Sequence, residues 1–237
     1  MALFLRLLLG HVLGDFAFQP GRLVRAKRSG LAGQVLHASI VTACTAAVLA
    51  DALPVAWPAV ALAGATHLAI EYLSVPARKN GGRSGLVVFV LDQALHILSL
   101  VLISLGLSAP VAPAIAWMRM SVVQLGLVDG IAIVSLMGAI LAFEVRASAL
   151  GNGEQPENSL LAFDGARVYG MIERAAALYA AAATPVPIVG YAAFVPRLAF
   201  ALVRPPAVRA RHVSEALVGT LLCTGTWLLL AALASRY

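Results

Sequence analysis

RSGLAGQVLH at residues 28–37 and RSGLVVFVLD at residues 83–92 are two versions of one segment, fifty-five residues apart and identical at six of ten positions. Each leaves a basic loop, enters an apolar run and reaches an ionisable residue at the same step, His37 in the first copy and Asp92 in the second. The likeness extends upstream, where His11-x-x-x-Asp15-Phe16 precedes the first copy and His67-x-x-x-Glu71-Tyr72 the second. Two helical hairpins of this kind, each entering and returning on the same side, make parallel repeats. Polar sites form where such repeats meet.

The composition says what medium the hairpins lie in. The 237 residues are 61% hydrophobic and 12% charged, with a mean hydropathy of +0.90. Soluble domains carry about 25% charged residues, so the chain is expected to be a polytopic membrane protein. Its net charge of +6 resides in short loops between apolar runs, which marks topology and contact with membrane lipids and excludes a nucleic-acid partner. Cys44 and Cys223 each lie inside an apolar run, so neither a disulfide framework nor a thiolate metal site is expected. The opening MALFLRLLLGHVLGDFAFQ is read as a retained first helix and not a leader, because His11 and Asp15 interrupt it and no small-residue cleavage site follows.

Apolar runs bounded by Pro, Gly and charge predict an all-α bundle of about eight membrane helices, near 2–19, 31–50, 55–75, 85–107, 122–143, 166–183, 187–204 and 213–234. The sixth and seventh are short, and PVP at 185–187 allows them to form a bent hairpin. Residues 1–107 form a first four-helix unit and 108–237 a second, the latter with a polar loop at 144–167. Alternate loops hold twelve basic residues, among them Arg22, Lys27, Arg78, Arg146 and Arg209, whereas the opposite side holds Arg119 and Arg236. The positive-inside rule then places both termini outside and the basic loops in the cytoplasm.

A spacing of four puts His11 with Asp15, His67 with Glu71, and Asp92 with His96 on single helix faces. At 1.5 Å per residue, these six residues and His37 fall in one slab of the cytoplasmic half. Ionisable groups at such depth face a bundle interior and mark function. Imidazoles mixed with carboxylates suit a divalent metal, zinc foremost, with iron or manganese as alternatives. The expected ligand set is His11, Asp15, His37, His67, Glu71, Asp92 and His96, with Asp15, Glu71 and Asp92 as the catalytic candidates. Gln19 and Gln93 lie near enough to hydrogen-bond to the cluster. Gly10 and Gly14 form a G-x-x-x-G that admits a close neighbour helix. The plainer alternative is a buried network that pins four helices and holds nothing.

In the second unit, Glu173, Arg174, Arg197 and Glu215 are expected to pair between helices, with binding of an anionic head group by Arg174 or Arg197 as the alternative. Asp129 stands alone and reads as structural, and His212 as solvated or interfacial.

GHVLGDFAFQ at 10–19, AKR at 26–28, VLH at 35–37, THLAIEY at 66–72 and LDQALHIL at 91–98 resemble a family of bacterial integral membrane proteins known as domain of unknown function 3307. YGMIER at 169–174 and EALVGTLL at 215–222 fit the same resemblance, which is weakest over 108–165; Glu71 stands where the family pattern has Asp. It implies a multi-pass protein of the bacterial inner membrane and carries no activity. A looser similarity is to membrane-bound metal-dependent hydrolases, which also place His and Asp on membrane helices. Three functions follow from the residues. They are a metal-dependent hydrolase or transferase acting on a lipid or other amphiphile, a cation or proton transporter, and a non-catalytic assembly subunit.

Overall fold

A computed structural model describes residues 1–79, 85–115, 120–150, 165–184 and 186–236, and every regular element among them is a helix. The chain forms two compact units, Met1–Leu125 and Gly126–Tyr237.

In the first unit, α1 (Ala2–Val12) is leucine-rich and runs directly into a π-helical turn, Leu13–Ala17, closed by the Phe18 N–H donating to the Leu13 carbonyl at 3.0 Å. A π turn accommodates one extra residue and re-aims the side chains it carries; here it carries Asp15. Pro20 cannot continue that helix and instead caps α2 (Gly21–Ser29), which leaves at 94°. The basic stretch expected as a loop is therefore a helix. Its Leu23 and Lys27, four apart, form a buried stripe, while Arg22 and Arg25 are exposed.

α3 (Leu31–Val48) lies against α1 at backbone contact. A Cβ on Gly10 would fall 2.5 Å from Thr45 Cα, and one on Gly14 2.6 Å from Val41 Cα. His37, one turn from Val41, is thereby delivered beside Asp15. α4 (Leu53–Lys79) and α5 (Gly85–Ile115) complete the unit. α5 continues past the expected end at 107, through Pro110 and Pro113, since a membrane helix tolerates proline. At the far end of α1, Arg6 is 1% exposed and donates to Asp51 Oδ1 in the α3–α4 turn at 2.6 Å.

α6 (Val122–Ala132) begins in the last residues of the first unit, and the second unit continues with a second π turn (Ile133–Met137), α7 (Gly138–Leu150), α8 (Gly165–Ala183), a 3-10 segment (Pro187–Phe194), α9 (Val195–Leu202) and α10 (Pro206–Ala234). Its core packs Val134, Leu178, Phe194, Cys223 and Leu230. Of the expected loop at 144–167, residues 144–150 and 165–167 are helical, and the GNGEQPENS core lies outside the described residues.

Among the described residues, five helical stretches are long and apolar enough to cross a bilayer: Leu31–Val48, Leu53–Ser74, Gly85–Ala112, Val122–Ser148 and Val208–Ala234. The bent pair Ala2–Ala17 and Gly21–Ser29 makes a sixth if counted as one broken span. α8 falls short because Arg167, Glu173 and Arg174 lower its hydropathy, and Pro187–Leu202 is apolar but short.

Candidate metal centre

α1, α3, α4 and α5 bring all the expected ionisable residues of the first unit into one buried cluster. His37 on α3 is fully buried, and its Nε2 lies 3.0 Å from Asp15 Oδ1 and 3.3 Å from Glu71 Oε2. His67 Nε2 lies 3.7 Å from that same Glu71 oxygen. Asp15, His37 and His67 each offer a donor atom within 4.8 Å of the other two. Donors held 2.0–2.1 Å from a tetrahedral ion are about 3.4 Å apart, so His37 already stands near that spacing from Asp15 and Glu71, and the Asp15–His37–His67 set would close in to share one ion.

Three unpartnered ring nitrogens test that fit. His67 is 2% exposed, and among the described residues neither of its ring nitrogens has a hydrogen-bond partner. Leaving a buried polar group unsatisfied costs about 1–3 kcal/mol, and a metal bond to Nε2 would satisfy one of them. His96 Nδ1 donates to the Asp92 carbonyl at 2.8 Å, which puts the proton on Nδ1 and a lone pair on Nε2, and that Nε2 is also buried and unpartnered. The His96 ring is 4.4 Å from that of His67 and 4.8 Å from that of His11.

The remaining members orient these groups. Gln93 donates through Nε2 to Asp15 Oδ2 at 3.1 Å and to Asp92 Oδ2 at 3.2 Å, and its Oε1 lies 3.5 Å from His11 Nε2. His11 Nε2 is 4.0 Å from Asp15 Oδ2, and its ring is 5.3 Å from the repeat-related His67. Lys27 was expected only as a topology signal. Its Nζ enters the cluster 3.0 Å from Glu71 Oε1. With its amide oxygen turned toward Lys27, Gln19 accepts from Nζ at 2.6 Å and donates to the Asp15 carbonyl at 3.2 Å. The carboxylates of Asp15 and Glu71 share the buried cluster with the Lys27 ammonium, and a divalent cation would add to its compensation of their charge.

The second unit holds a separate set of charges. Arg197 Nε donates to Glu173 Oε2 at 2.5 Å, and Arg174 Nη1 to Glu215 Oε2 at 2.5 Å, so the expected pairing between helices is present. Arg174 also donates from Nε to the Val134 carbonyl at 2.7 Å, taking up an acceptor on the second π turn. His212 packs its Nδ1 3.3 Å from Arg197 Nη1. Asp129 is buried without a hydrogen-bond partner for either oxygen among the described residues.

A family model described as Protein of unknown function (DUF3307) matches residues 3–123. The chain belongs to this family. The matched stretch contains every residue of the cluster just described and ends before YGMIER and EALVGTLL, which lie in the second unit. No curated protein and no solved structure matches the chain.

Proposed function

We propose that this DUF3307 chain is a multi-pass protein of the bacterial inner membrane whose two N-terminal hairpin repeats hold a divalent metal, zinc foremost, and that it hydrolyses or transfers a group of an amphiphile reached from the cytoplasmic leaflet. The observation that carries the reading is His67, buried beside the Glu71 carboxylate with neither ring nitrogen hydrogen-bonded among the described residues. Asp15, His37, His67 and Glu71 serve as ligands. Gln93 and Lys27 hold the carboxylates of Asp15 and Glu71, and His11 and Asp92 flank the shell. When bound, the metal supplies Lewis acidity toward a carbonyl or phosphoryl oxygen and toward water. The His96 Nε2 lone pair is the group placed to take a proton, with the Asp92 carbonyl fixing its tautomer.

The amphiphile is favoured over a transported ion by what surrounds the cluster. Helix α2, which supplies Lys27, is amphipathic and bends away from α1 as an interfacial helix does, with Arg22 and Arg25 exposed to anionic head groups. Toward the opposite end of α1, Leu7, Leu8 and Val60 are buried between the cluster and the Arg6–Asp51 pair, and the buried Thr45 hydroxyl is engaged by the Val41 carbonyl. A cation or proton path would need a continuous run of polar side chains there.

Elemental analysis of the detergent-purified protein tests the centre. About one divalent ion per chain is expected, lost in His67→Ala and kept in His212→Ala. Metal retained in full by His67→Ala would leave the cluster a packing network. Uptake of zinc into proteoliposomes, without hydrolysis of ester or phosphoester amphiphiles, would instead make the protein a transporter.

A further inference from the structure

The corner between α9 and α10 carries an apolar groove of about 340 Å³ walled by Val195, Leu198, Leu202 and Val213, with Arg209 among its lining. Val195, Leu198 and Leu202 share one face of α9, and Arg209 and Val213 stand one turn apart on α10. These walls are open: Leu202 is 75% exposed and Val195 59%. The same corner concentrates positive charge. Arg209 Nη2 donates to the carbonyls of Leu202 at 3.4 Å and Arg204 at 3.2 Å, which fixes its guanidinium over the end of α9. Arg204 stacks over the Phe200 ring at 4.0 Å. No acidic residue occurs anywhere from 195 to 213. The nearby carboxylates of Glu173 and Glu215 are engaged by Arg197 and Arg174.

We propose that this corner binds one anionic phospholipid, with an acyl chain in the groove and the phosphate against Arg204 and Arg209. Each half of the site excludes a simpler occupant. A soluble anion gains nothing from exposed Leu202 and Val195, and a zwitterionic lipid gains little from two arginines with no acidic neighbour. Basic residues at the ends of membrane helices bind anionic head groups on this principle. The site lies wholly in the second unit and does not depend on the metal centre.

The test uses the full-length protein in neutral detergent, titrated with dioleoylphosphatidylglycerol, dioleoylphosphatidylcholine or glycerol 1-phosphate and followed by native mass spectrometry and thermal melting. Phosphatidylglycerol should bind and raise the melting temperature, and the other two should not. Arg204→Gln with Arg209→Gln should weaken it about 30-fold. Arg204→Gln alone, which leaves the carbonyls at the end of α9 capped by Arg209, should weaken it about 5-fold. Leu202→Trp should also weaken it by filling the groove, while the lipid-free melting temperature stays near wild type because the site is exposed. Equal binding of phosphatidylcholine, or undiminished affinity in the double variant, would overturn the proposal. A full effect from glycerol 1-phosphate would reduce the site to a bare anion contact and overturn it equally.

Discussion

Lys27 Nζ stands 3.0 Å from Glu71 Oε1, beside the carboxylates of the cluster. An ammonium there stabilises the metal-free site and opposes a cation arriving beside it. Two unit charges about 5 Å apart interact by roughly 3 kcal/mol at an effective dielectric of 20. Lys27→Met should therefore tighten zinc binding by about 10- to 100-fold and lower the stability of the metal-free protein, since Glu71 loses its partner. Competition titration with a chromogenic chelator, alongside melting curves with and without metal, reads both effects. An unchanged zinc affinity would show the ammonium to be screened from the ion's position. His11, His37, His67 and the carboxylates were legible in the sequence because an ionisable residue in an apolar run has few reasons to be there. Lys27 was not, because Arg22, Arg25, Lys27 and Arg28 are equivalent as loop charges until the stretch is seen to be a helix with Leu23 and Lys27 on its inner face.

At the scale of elements, the cluster depends on how closely α1 and α3 approach. A Cβ on Gly14 would lie 2.6 Å from the Cα of Val41, a backbone atom that no rotamer change can move. Gly14→Ala must therefore push the helices apart, at a cost of about 1–3 kcal/mol, and carry His37 away from Asp15. Reduced metal content and a lower melting temperature are expected, while Gly106→Ala on α5, whose added methyl meets nothing within 4 Å, should change neither. A Gly14→Ala protein with normal metal content would mean that α3 does not set the shell. The G-x-x-x-G signal was readable in advance because small residues four apart leave a flat helix face. The two π turns were not. Nothing in LGDFA at Leu13–Ala17 or IVSLM at Ile133–Met137 distinguishes a π turn from an α turn, since a change from i+4 to i+5 hydrogen bonding leaves no compositional mark. Yet one turn carries Asp15 and the other supplies the carbonyl that Arg174 bonds.

For the whole molecule, composition announced apolar helices but not how many cross the bilayer. α8 and the stretch Pro187–Leu202 were drawn as two spans, and neither is both long and apolar enough by itself. The predicted orientation does not depend on that pair. Gly190 packs so close to α8 that an added Cβ would lie 2.3 Å from the Ala177 carbonyl, so the chain enters along α8 and returns along the next segment. Whether that hairpin crosses fully or turns back midway, it adds an even number of crossings, so with the bent pair Ala2–Ala17 and Gly21–Ser29 counted as one broken span the prediction of both termini on one side is unchanged. The asymmetry of basic loops predicts that this side is outside. Ser29→Cys, at the exposed end of α2, should be shielded from an impermeant maleimide in intact cells and labelled after permeabilisation. Ala50→Cys, exposed in the α3–α4 turn, should be labelled without it. The reverse pattern would turn the molecule over, expose α2 and its arginines to the periplasmic face, and move the His–carboxylate cluster to the outer leaflet. The amphiphile approached by the site would then have to be a lipid of that leaflet.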